Sequence, residues 1–268
     1  MSSKVVLVTG ANTGLGLEIV RALCGSDANY EILLGGRSLE KATKAVQNVI
    51  AAFPKVEGRV SAIQVDIEDD DSISAAVDTV SAKYGHLDVL VNNAGGQFDQ
   101  HFSAGKMTMR QVWHQSWSVN TASTQIMTAN FVPLLLKSSD PRLLFITSGT
   151  STLQGAENLE LPINRVPQKG WPKSGPAQSS IPAYRSAKTG MNMMMREWYR
   201  ILKEDGVKVW CVSPGYLATG LGGSLEQNQK QGAQDPSLGG QFVKDVVEGQ
   251  RDGDVGKVIL REGKIQPW

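Results

Sequence analysis

The sequence predicts an α/β fold built on a doubly wound parallel sheet with helices on both faces. Short apolar runs rich in β-branched residues alternate along the chain with longer helical patterns. Strands that alternate with helices in this way become parallel through right-handed crossovers. The runs KVVLVTG and LDVLVNNAG are apolar almost without interruption, which is typical of strands buried on both faces of a sheet.

The predicted strands are the short apolar runs, and there are seven of them: 5–9, 31–34, 60–65, 87–92, 142–147, 207–213 and 258–260. The predicted helices are the longer segments between them: 15–24, 39–53, 72–84, 108–138, 183–204 and 239–248. Two connections are longer than the rest. Residues 149–182 contain five prolines, and residues 214–238 are rich in Gly, Gln and Ser. Both follow strands, so we expect them at the carboxyl edge of the sheet as walls of a substrate site.

Composition narrows the classes of partner. The 268 residues are 41% hydrophobic and 20% charged, which suits a single globular domain over 1–268. The formal charge of +1 predicts neither nucleic-acid nor membrane binding. Two cysteines and three scattered histidines give no reason to expect a structural metal. The N-terminus has no signal-peptide pattern and no run is long enough to span a membrane, so we expect a cytoplasmic protein.

A glycine-rich turn follows the first predicted strand. VTGANTGLG places Gly10, Gly14 and Gly16 between that strand and the first helix. Glycines there allow a tight turn and let backbone N–H groups approach a pyrophosphate. The alternative is an ordinary tight connection. Its position on the first strand of a doubly wound sheet favours a dinucleotide site of the Rossmann type.

The end of the second strand predicts which dinucleotide is bound. An acidic residue there would bind the 2′-hydroxyl of NAD, but Gly36 occupies that position and Arg37 and Ser38 follow it. An arginine can stack on adenine and pair with a 2′-phosphate. The pattern therefore favours NADP(H), against the alternative of an arginine on a solvated helix start.

Two Tyr-x-x-x-Lys pairs, Tyr184 with Lys188 and Tyr199 with Lys203, could each place an ammonium beside a phenol on one helix face. In a parallel sheet, helices begin near the edge where ligands bind. Tyr184 follows a proline at the predicted helix start, whereas Tyr199 lies about 22 Å further along at 1.5 Å per residue. Geometry therefore selects the first pair. Ser148 follows the fifth strand at the same edge, so its hydroxyl can help Tyr184 polarise a carbonyl.

These motifs resemble those of the short-chain dehydrogenases/reductases over nearly the whole chain. TGANTGLG is similar to the family's Thr-Gly-x-x-x-Gly-x-Gly turn, NNAG at 92–95 to its motif after the fourth strand, and YRSAK to its Tyr-x-x-x-Lys. The resemblance implies a sheet of seven parallel strands. It also implies a catalytic set of Asn120, Ser148, Tyr184 and Lys188. The cofactor-binding residues that it implies, with those above, are Gly10, Asn12, Thr13, Gly14, Leu15, Gly16, Arg37, Ser38, Asp66, Ile67, Asn93, Ala94, Gly95, Tyr184, Lys188, Pro214, Gly215 and Thr219.

The resemblance also implies a reaction. NADPH would give hydride to a ketone or aldehyde of a bulky small molecule, or the reverse, while Tyr184 transfers a proton. Lys188 would lower the pKa of Tyr184 and hold the nicotinamide ribose. Ser148 would bind the carbonyl oxygen, and Asn120 would position a water that leads to Lys188.

One feature departs from the family. Ser148 and Tyr184 lie 36 positions apart, whereas about a dozen is usual, so some two dozen residues are inserted beside the catalytic groups. Such an insertion resembles the NADP-dependent carbonyl reductases that are monomers. A monomer is favoured, and a homo-oligomer stays possible.

Other interpretations remain. Residues 149–153, GTSTL, lack the last glycine of an esterase Gly-x-Ser-x-Gly, and a sugar-nucleotide epimerase would need a C-terminal domain. The serious rival is an NADP-binding protein with a non-redox role, either a cofactor-sensing regulator or a biosynthetic cyclase or isomerase. We expect His114 and the methionines of MNMMMREWY to be surface and packing residues. Asp99 and His101 could border the pocket.

Overall fold

The computed structural model describes residues 3–173 and 180–268. Its strands are β1 (Lys4–Val8), β2 (Tyr30–Gly36), β3 (Val60–Gln64), β4 (Val89–Asn92), β5 (Arg142–Ile146), β6 (Lys208–Ser213) and β7 (Val258–Leu260). All neighbours pair in parallel, in the order β3-β2-β1-β4-β5-β6-β7. The order reverses between β1 and β4, which creates a crevice at the carboxyl edge there. The predicted doubly wound sheet is confirmed.

Alternate residues of β1 show how the sheet separates two cores. Val6 and Val8 pack into one cluster of buried side chains, and Val5 and Leu7 pack into the other. Successive side chains of a strand point to opposite faces, so an apolar residue at every position supplies both cores. This explains why the strand reads as an uninterrupted apolar run.

Helices cover both faces of the sheet. They are α1 (Gly14–Cys24), α2 (Leu39–Ala52), α3 (Asp70–Tyr84), α4 (Asp99–Ser103), α5 (Met109–Trp117), α6 (Ser123–Leu135), α7 (Leu153–Ala156), α8 (Pro182–Leu202), α9 (Leu225–Lys230) and α10 (Pro236–Val247). The first core cluster contains residues of α1, α2 and α10. The second contains residues of α3, α6 and α8.

The prediction of one helix over 108–138 is wrong. A π-helical stretch, Ser118–Ala122, separates α5 from α6. Asn120 lies in it, and its side-chain Nδ2 donates to the carbonyl of Ser116 at 2.9 Å. In an α-helix that carbonyl would accept from the backbone N–H of Asn120. Competition from the side chain gives the break a local cause, and π-bulges occur often at functional sites.

Strand boundaries differ from the prediction by one or two residues. Strands β1, β3 and β5 end one residue early, and β4 begins two residues late. Residues 149–182 contain α7 and a 3-10 turn at Pro162–Asn164, and residues 174–179 of that connection lie outside the described part. The segment 214–238 contains α9, and α10 begins at Pro236, three residues before the predicted start.

Among the described residues, no helix combines the length and apolar character that a membrane crossing requires. The same residues contain no group of three or more His, Cys, Asp or Glu side chains that could hold a metal ion.

Candidate active site

The glycine turn lies where β1 meets α1. Gly10 and Gly14 have φ of 61° and 57°, in the left-handed region that glycine tolerates best. A Cβ on Gly10 would lie 2.9 Å from Ala94 Cα, and one on Gly16 would lie 2.5 Å from Asn93 Nδ2. Glycine is therefore required here by close packing against the segment after β4.

Asn93 connects that segment to the glycine turn by hydrogen bonds. Its Nδ2 donates to the carbonyls of Thr9 at 2.8 Å and Gly10 at 3.2 Å. The hydroxyl of Thr9 in turn accepts from the N–H groups of Asn93 and Ala94, both at 3.0 Å. The glycine turn and NNAG lie more than eighty residues apart in the sequence. These hydrogen bonds join them into one unit, the glycine floor.

The residues expected around the adenosine also converge. A Cβ on Gly36 would lie 3.5 Å from Asn12 Oδ1, so Asn12 comes from the glycine turn to the end of β2. Arg37 is exposed. The Ser38 hydroxyl accepts from the N–H of Lys41 at 3.3 Å and so caps α2, which is a structural role.

The remaining cofactor candidates lie on both sides of this floor. Asp66 Oδ1 accepts from the N–H of Glu68 at 3.1 Å, and Ile67 is buried. On the other side, Thr219 approaches Gly14: a Cβ on that glycine would lie 3.6 Å from Thr219 Cβ. Thr13, the N-cap of α1, makes no side-chain capping bond. Leu15, Pro214, Gly215 and Thr219 line the adjoining cleft.

Tyr184 and Ser148 meet in that cleft. Tyr184 is in the first turn of α8, with only 7% of its surface exposed. Burial raises the pKa of Tyr184 to about 12, although a hydrogen bond with the Ser148 side chain opposes the shift. The Ser148 hydroxyl is 2.9 Å from Thr150 Oγ1. At neutral pH the phenol is therefore protonated and has a proton to donate.

Lys188 lies one helical turn further along the same face. Its Nζ donates to the carbonyl of Ile146 at 2.8 Å and lies 5.9 Å from the centroid of the Tyr184 ring. Burial lowers the pKa of Lys188 to about 8. Burial of Tyr184 acts against the lowering of its pKa that is expected from Lys188.

Asn120 joins the set through the π-helical stretch. Its Nδ2 donates to the carbonyls of Gly96 at 2.8 Å and Ser116 at 2.9 Å, and its Oδ1 accepts from the N–H of Gly96 at 3.2 Å. A Cβ on Gly95 would lie 2.8 Å from this Oδ1 and 3.3 Å from Lys188 Nζ. Gly95 therefore lets the amide and the ammonium approach each other.

Asp99 has a larger role than the sequence indicated. Its two carboxylate oxygens accept from the N–H groups of Ala183 at 3.0 Å and Tyr184 at 3.2 Å. Burial raises the pKa of Asp99, while these two backbone hydrogen bonds oppose the shift. The carboxylate thus caps the helix at the residue that carries the phenol. An acidic residue shortly after NNAG was the only available signal, because the contact spans 85 positions.

The cleft over these groups has a volume of about 920 Å³. Both long connections line it: Leu161 and Ile163 come from 149–182, and Tyr216 and Asn228 come from 214–238. Asn228 Nδ2 donates to the carbonyls of Thr219 at 2.8 Å and Leu221 at 3.1 Å. This contribution of Asn228 was not predicted, since nothing in the local sequence identifies it.

The structure separates the other candidates from the cleft. Tyr199 packs against the second core and Lys203 is exposed at the end of α8. His114 is exposed on α5. Met191 and Met195 are fully buried, which agrees with packing rather than substrate binding. His101, two residues after Asp99, stacks on Phe98 with ring centroids 6.4 Å apart.

Similarity to known sequences agrees with this geometry. The family model described as short chain dehydrogenase matches residues 4–159 and 174–230. The chain is 45% identical over 266 residues to the short-chain dehydrogenase/reductase tropE of Talaromyces stipitatus, covering 99% of this chain and 98% of the relative. It is 42% identical over 273 residues to the short-chain dehydrogenase/reductase eupG of a Phoma species, covering 98% and 97%.

Solved structures share the fold. The NADPH-bound carbonyl reductase from chicken fatty liver superposes with a TM-score of 0.79 at 22% identity, covering all of both chains. The carbonyl reductase Sniffer of D. melanogaster gives 0.75 at 20% identity, also over both whole chains. At these identities the similarity concerns the fold alone. Together with the matched family model and the close relatives, the motifs and their geometry place the chain in the short-chain dehydrogenase/reductase family of oxidoreductases.

Proposed function

We propose that this protein is an NADPH-dependent oxidoreductase that reduces a ketone or aldehyde group of a bulky small molecule to an alcohol. One observation carries the proposal. A buried Tyr184 is hydrogen-bonded to Ser148 and lies on the same helix face as Lys188, in a cleft of about 920 Å³. A protein that only bound a dinucleotide would have no need of an acid in this position.

The residues fit a nicotinamide dinucleotide. Gly10, Gly14 and Gly16 give the close backbone approach that a pyrophosphate needs. Asn12 and Arg37 would hold the adenosine half, with Asp66 and Ile67 beside the adenine. Pro214, Gly215 and Thr219 would flank the nicotinamide amide. The bound cofactor would supply hydride to the carbonyl carbon, which no side chain can do.

Tyr184 is the proposed general acid. Its pKa of about 12 keeps it protonated at neutral pH, so it can donate a proton as charge develops on the carbonyl oxygen. The Ser148 hydroxyl would donate a second hydrogen bond to the same oxygen. In the reverse reaction the same two groups would accept the proton and bind the alcohol oxygen.

Lys188 and Asn120 support that acid. With a pKa of about 8, Lys188 is largely charged at pH 7 and stabilises a developing phenolate. One Nζ donor is used by Ile146, which leaves two for the ribose hydroxyls. Asn120 Oδ1 accepts one bond from Gly96 and keeps a lone pair for the proposed water.

The cleft favours an uncharged, bulky substrate. Apart from the two tyrosines, its described lining contains only two ionisable side chains, Asp99 and Lys188. The Asp99 carboxylate accepts hydrogen bonds from backbone N–H groups of α8. The Lys188 ammonium donates to the Ile146 carbonyl and would donate to the ribose. The remaining lining mixes apolar side chains such as Leu161 with amides such as Gln231. Such walls suit a ring system that carries several oxygen atoms.

The test is NADPH oxidation with a panel of aromatic, quinone and polyketide-like ketones and aldehydes, followed by identification of the alcohol by mass spectrometry. Tyr199→Phe is a matched control, since it removes the phenol of the other Tyr-x-x-x-Lys pair and should leave turnover unchanged. Tight NADPH binding with no reduction of any compound would contradict the proposal. It would favour the non-redox alternative of a regulator, cyclase or isomerase.

The preference for NADPH has its own test. Arg37→Asp should shift the NADP/NAD preference toward NAD by about tenfold or more, because a carboxylate repels a 2′-phosphate and binds a 2′-hydroxyl. Isothermal titration with both reduced cofactors measures the ratio. An unchanged ratio would remove Arg37 from the adenosine site. The exposed Arg110, replaced by Asp, controls for the change in net charge.

A monomeric state and a cytoplasmic location complete the proposal. The monomer rests on the resemblance of the insertion to that of monomeric carbonyl reductases. The described part of the insertion leaves Trp117 on α5 and Met193 on α8 41% and 60% exposed, so this face is where a second copy would pack, and a dimer found in solution would overturn the proposal. Sizing chromatography with light scattering measures the state. Imaging of a fluorescent fusion tests the location.

A further inference from the structure

The last five residues fold back onto the sheet beside the turn that follows β5 and contains Ser148. Ile265 pairs antiparallel with Ile259, and the N–H of Gln266 donates to the carbonyl of Val258 at 2.8 Å. This pairing buries Gln266, which is only 3% exposed. The tail, residues 264–268, thus places the amide side chain of Gln266 in the protein interior.

The amide of Gln266 reaches the turn that follows β5. Its Nε2 donates to the carbonyl of Ser148 and to the hydroxyl of Ser151, each at 3.2 Å. Ser151 Oγ itself donates to the Ser148 carbonyl at 2.6 Å. Asn192, two turns after Tyr184 on α8, donates to Ser151 Oγ at 3.0 Å. The turn is therefore held from the tail on one side and from the catalytic helix on the other.

The tail also fixes the first residues of the insertion. The carbonyl of Trp268 accepts from the N–H of Gln154 at 2.8 Å and from Thr152 Oγ1 at 3.3 Å. The guanidinium of Arg196 on α8 lies 5.7 Å from the centroid of the Trp268 ring. These contacts place the tail between α8 and the segment that runs from Ser148 into the cleft wall.

The amide at position 266 is paired on one side only. Gln266 Oε1 is buried and has no hydrogen-bond partner among the described residues. An unpaired buried acceptor destabilises a fold, and a methionine would fill a similar volume without burying one. The observation that distinguishes glutamine from methionine here is its donor, and that donor is directed at Ser148 and Ser151.

We infer that Gln266 is a positioning residue, which fixes the carbonyl of Ser148 and so keeps the Ser148 hydroxyl directed at Tyr184 and at a bound carbonyl oxygen. The catalytic part of this inference rests on the proposed reduction. The hydrogen bond from Gln266 to the turn does not. A small displacement of a catalytic group lowers turnover without weakening the binding of cofactor, because only the transition state needs the exact alignment.

The decisive experiment is a double-mutant cycle. Gln266→Met should lower kcat by about ten- to a hundredfold and leave the Kd for NADPH within about twofold, since the tail does not line the cofactor floor. In a Ser148→Ala background the same change should cost nothing further, because residues that act through one group are not additive. An equal loss in both backgrounds would overturn the inference. Lys264→Met, on the same tail with a side chain 72% exposed, is the matched control.

A second readout does not depend on turnover. Hydrogen exchange of the amides of Thr150 and Ser151, which bond to Ser148 Oγ and to the Ser148 carbonyl, should be at least about tenfold faster in Gln266→Met than in the wild type or Lys264→Met. Unchanged protection would overturn the inference even if turnover fell. Faster exchange in a protein that reduces no carbonyl compound would support the Gln266 contact and contradict the proposed function instead.

Discussion

The two edges of the sheet differ in how their ionisable side chains are paired. At the amino edge, where β1, β5 and β6 begin, Lys4, Asp140, Arg142, Lys208 and Asp252 form one network of ion pairs. At the carboxyl edge, Tyr184 and Lys188 are buried with no ion pair among the residues that the structure describes, and burial shifts the pKa of each toward its neutral form. The first edge pairs its charged side chains, whereas the second holds the proposed catalytic groups.

Arg142 shows how completely the amino edge is paired. Its side chain is only 4% exposed, and all five of its N–H donors are used, by Asp140, by Asp252 and by the carbonyl of Val246. Burial opposes ionisation of Asp140, yet bonds from Lys4 and Lys208 and the charge of Arg142 hold the pKa of that carboxyl well below its usual range. The ionised form is therefore the stable one.

The carboxyl edge leaves polar groups unpaired. Ser213 Oγ, at the end of β6, is buried with no partner among the described residues. Lys188 Nζ has one carbonyl partner and no carboxylate in that same part of the chain. Functional sites commonly retain such costs because a fully paired group cannot bind a ligand. We therefore expect substitutions at the two edges to separate turnover from stability.

Tyr184→Phe should have the largest effect. It keeps the ring and removes the acid, so turnover should fall by about a thousandfold, within the range for loss of a general acid. Because the variant no longer buries a hydroxyl group, its melting temperature should equal that of the wild type or be slightly higher. Steady-state kinetics and thermal unfolding measure both quantities, with Tyr199→Phe as control. Turnover retained within about tenfold would remove Tyr184 from the acid role.

Arg142→Met should produce the opposite outcome. Asp140 and Asp252 keep Lys208 as a partner but lose their Arg142 donors, and losing a donor from a partly buried charged group costs about 1–3 kcal/mol of unfolding free energy. Turnover of the folded protein should not change, because the substitution is at the far edge. Urea unfolding and kinetics at low temperature test this. The exposed ion pair of Arg200 with Glu197 supplies a control, since Arg200→Met should cost less than about 1 kcal/mol.

Asp99→Asn should lower kcat by about tenfold. The amide nitrogen would face one of the two N–H groups that the carboxylate now binds, so the first turn of α8 shifts and Tyr184 moves with it. NADPH affinity should be preserved, because Asp99 does not belong to the glycine floor. Kinetics with varied substrate separate kcat from KM. A change confined to KM would make Asp99 a substrate contact rather than the residue that positions Tyr184.

The pH dependence of stability should depend on Asp140. Because the folded pKa is depressed, its contribution is fully present above the ordinary carboxyl value of about 3.9 and is lost as the pH falls toward the folded value. The unfolding free energy should decrease below about pH 4. In Asp140→Asn it should decrease less steeply, from a value about 1 kcal/mol lower at pH 7. Parallel curves for the two proteins would contradict this origin of the acid sensitivity.

Much of the site could be predicted because it lies on local patterns. The glycine turn, the NNAG segment and the Tyr184 pair each combine a strand end or a helix start with a characteristic residue set, and chain direction in a parallel sheet identified Tyr184 over Tyr199. The predictions failed where a side chain competes with the backbone. Nothing in SWSVNTAS signals that Asn120 would take the carbonyl of Ser116 and interrupt the helix.

The sequence by itself determined the order of strands and helices along the chain, the glycine turn and the Tyr184–Lys188 pair, because these follow from hydrophobic period and from residues close together in the chain. Tertiary structure alone decided their electrostatics and their support. The pKa of Tyr184 rises because packing removes water from it. Asp99 and Gln266 reach Tyr184 and Ser148 across 85 and 118 positions, and only the closed fold makes those contacts short.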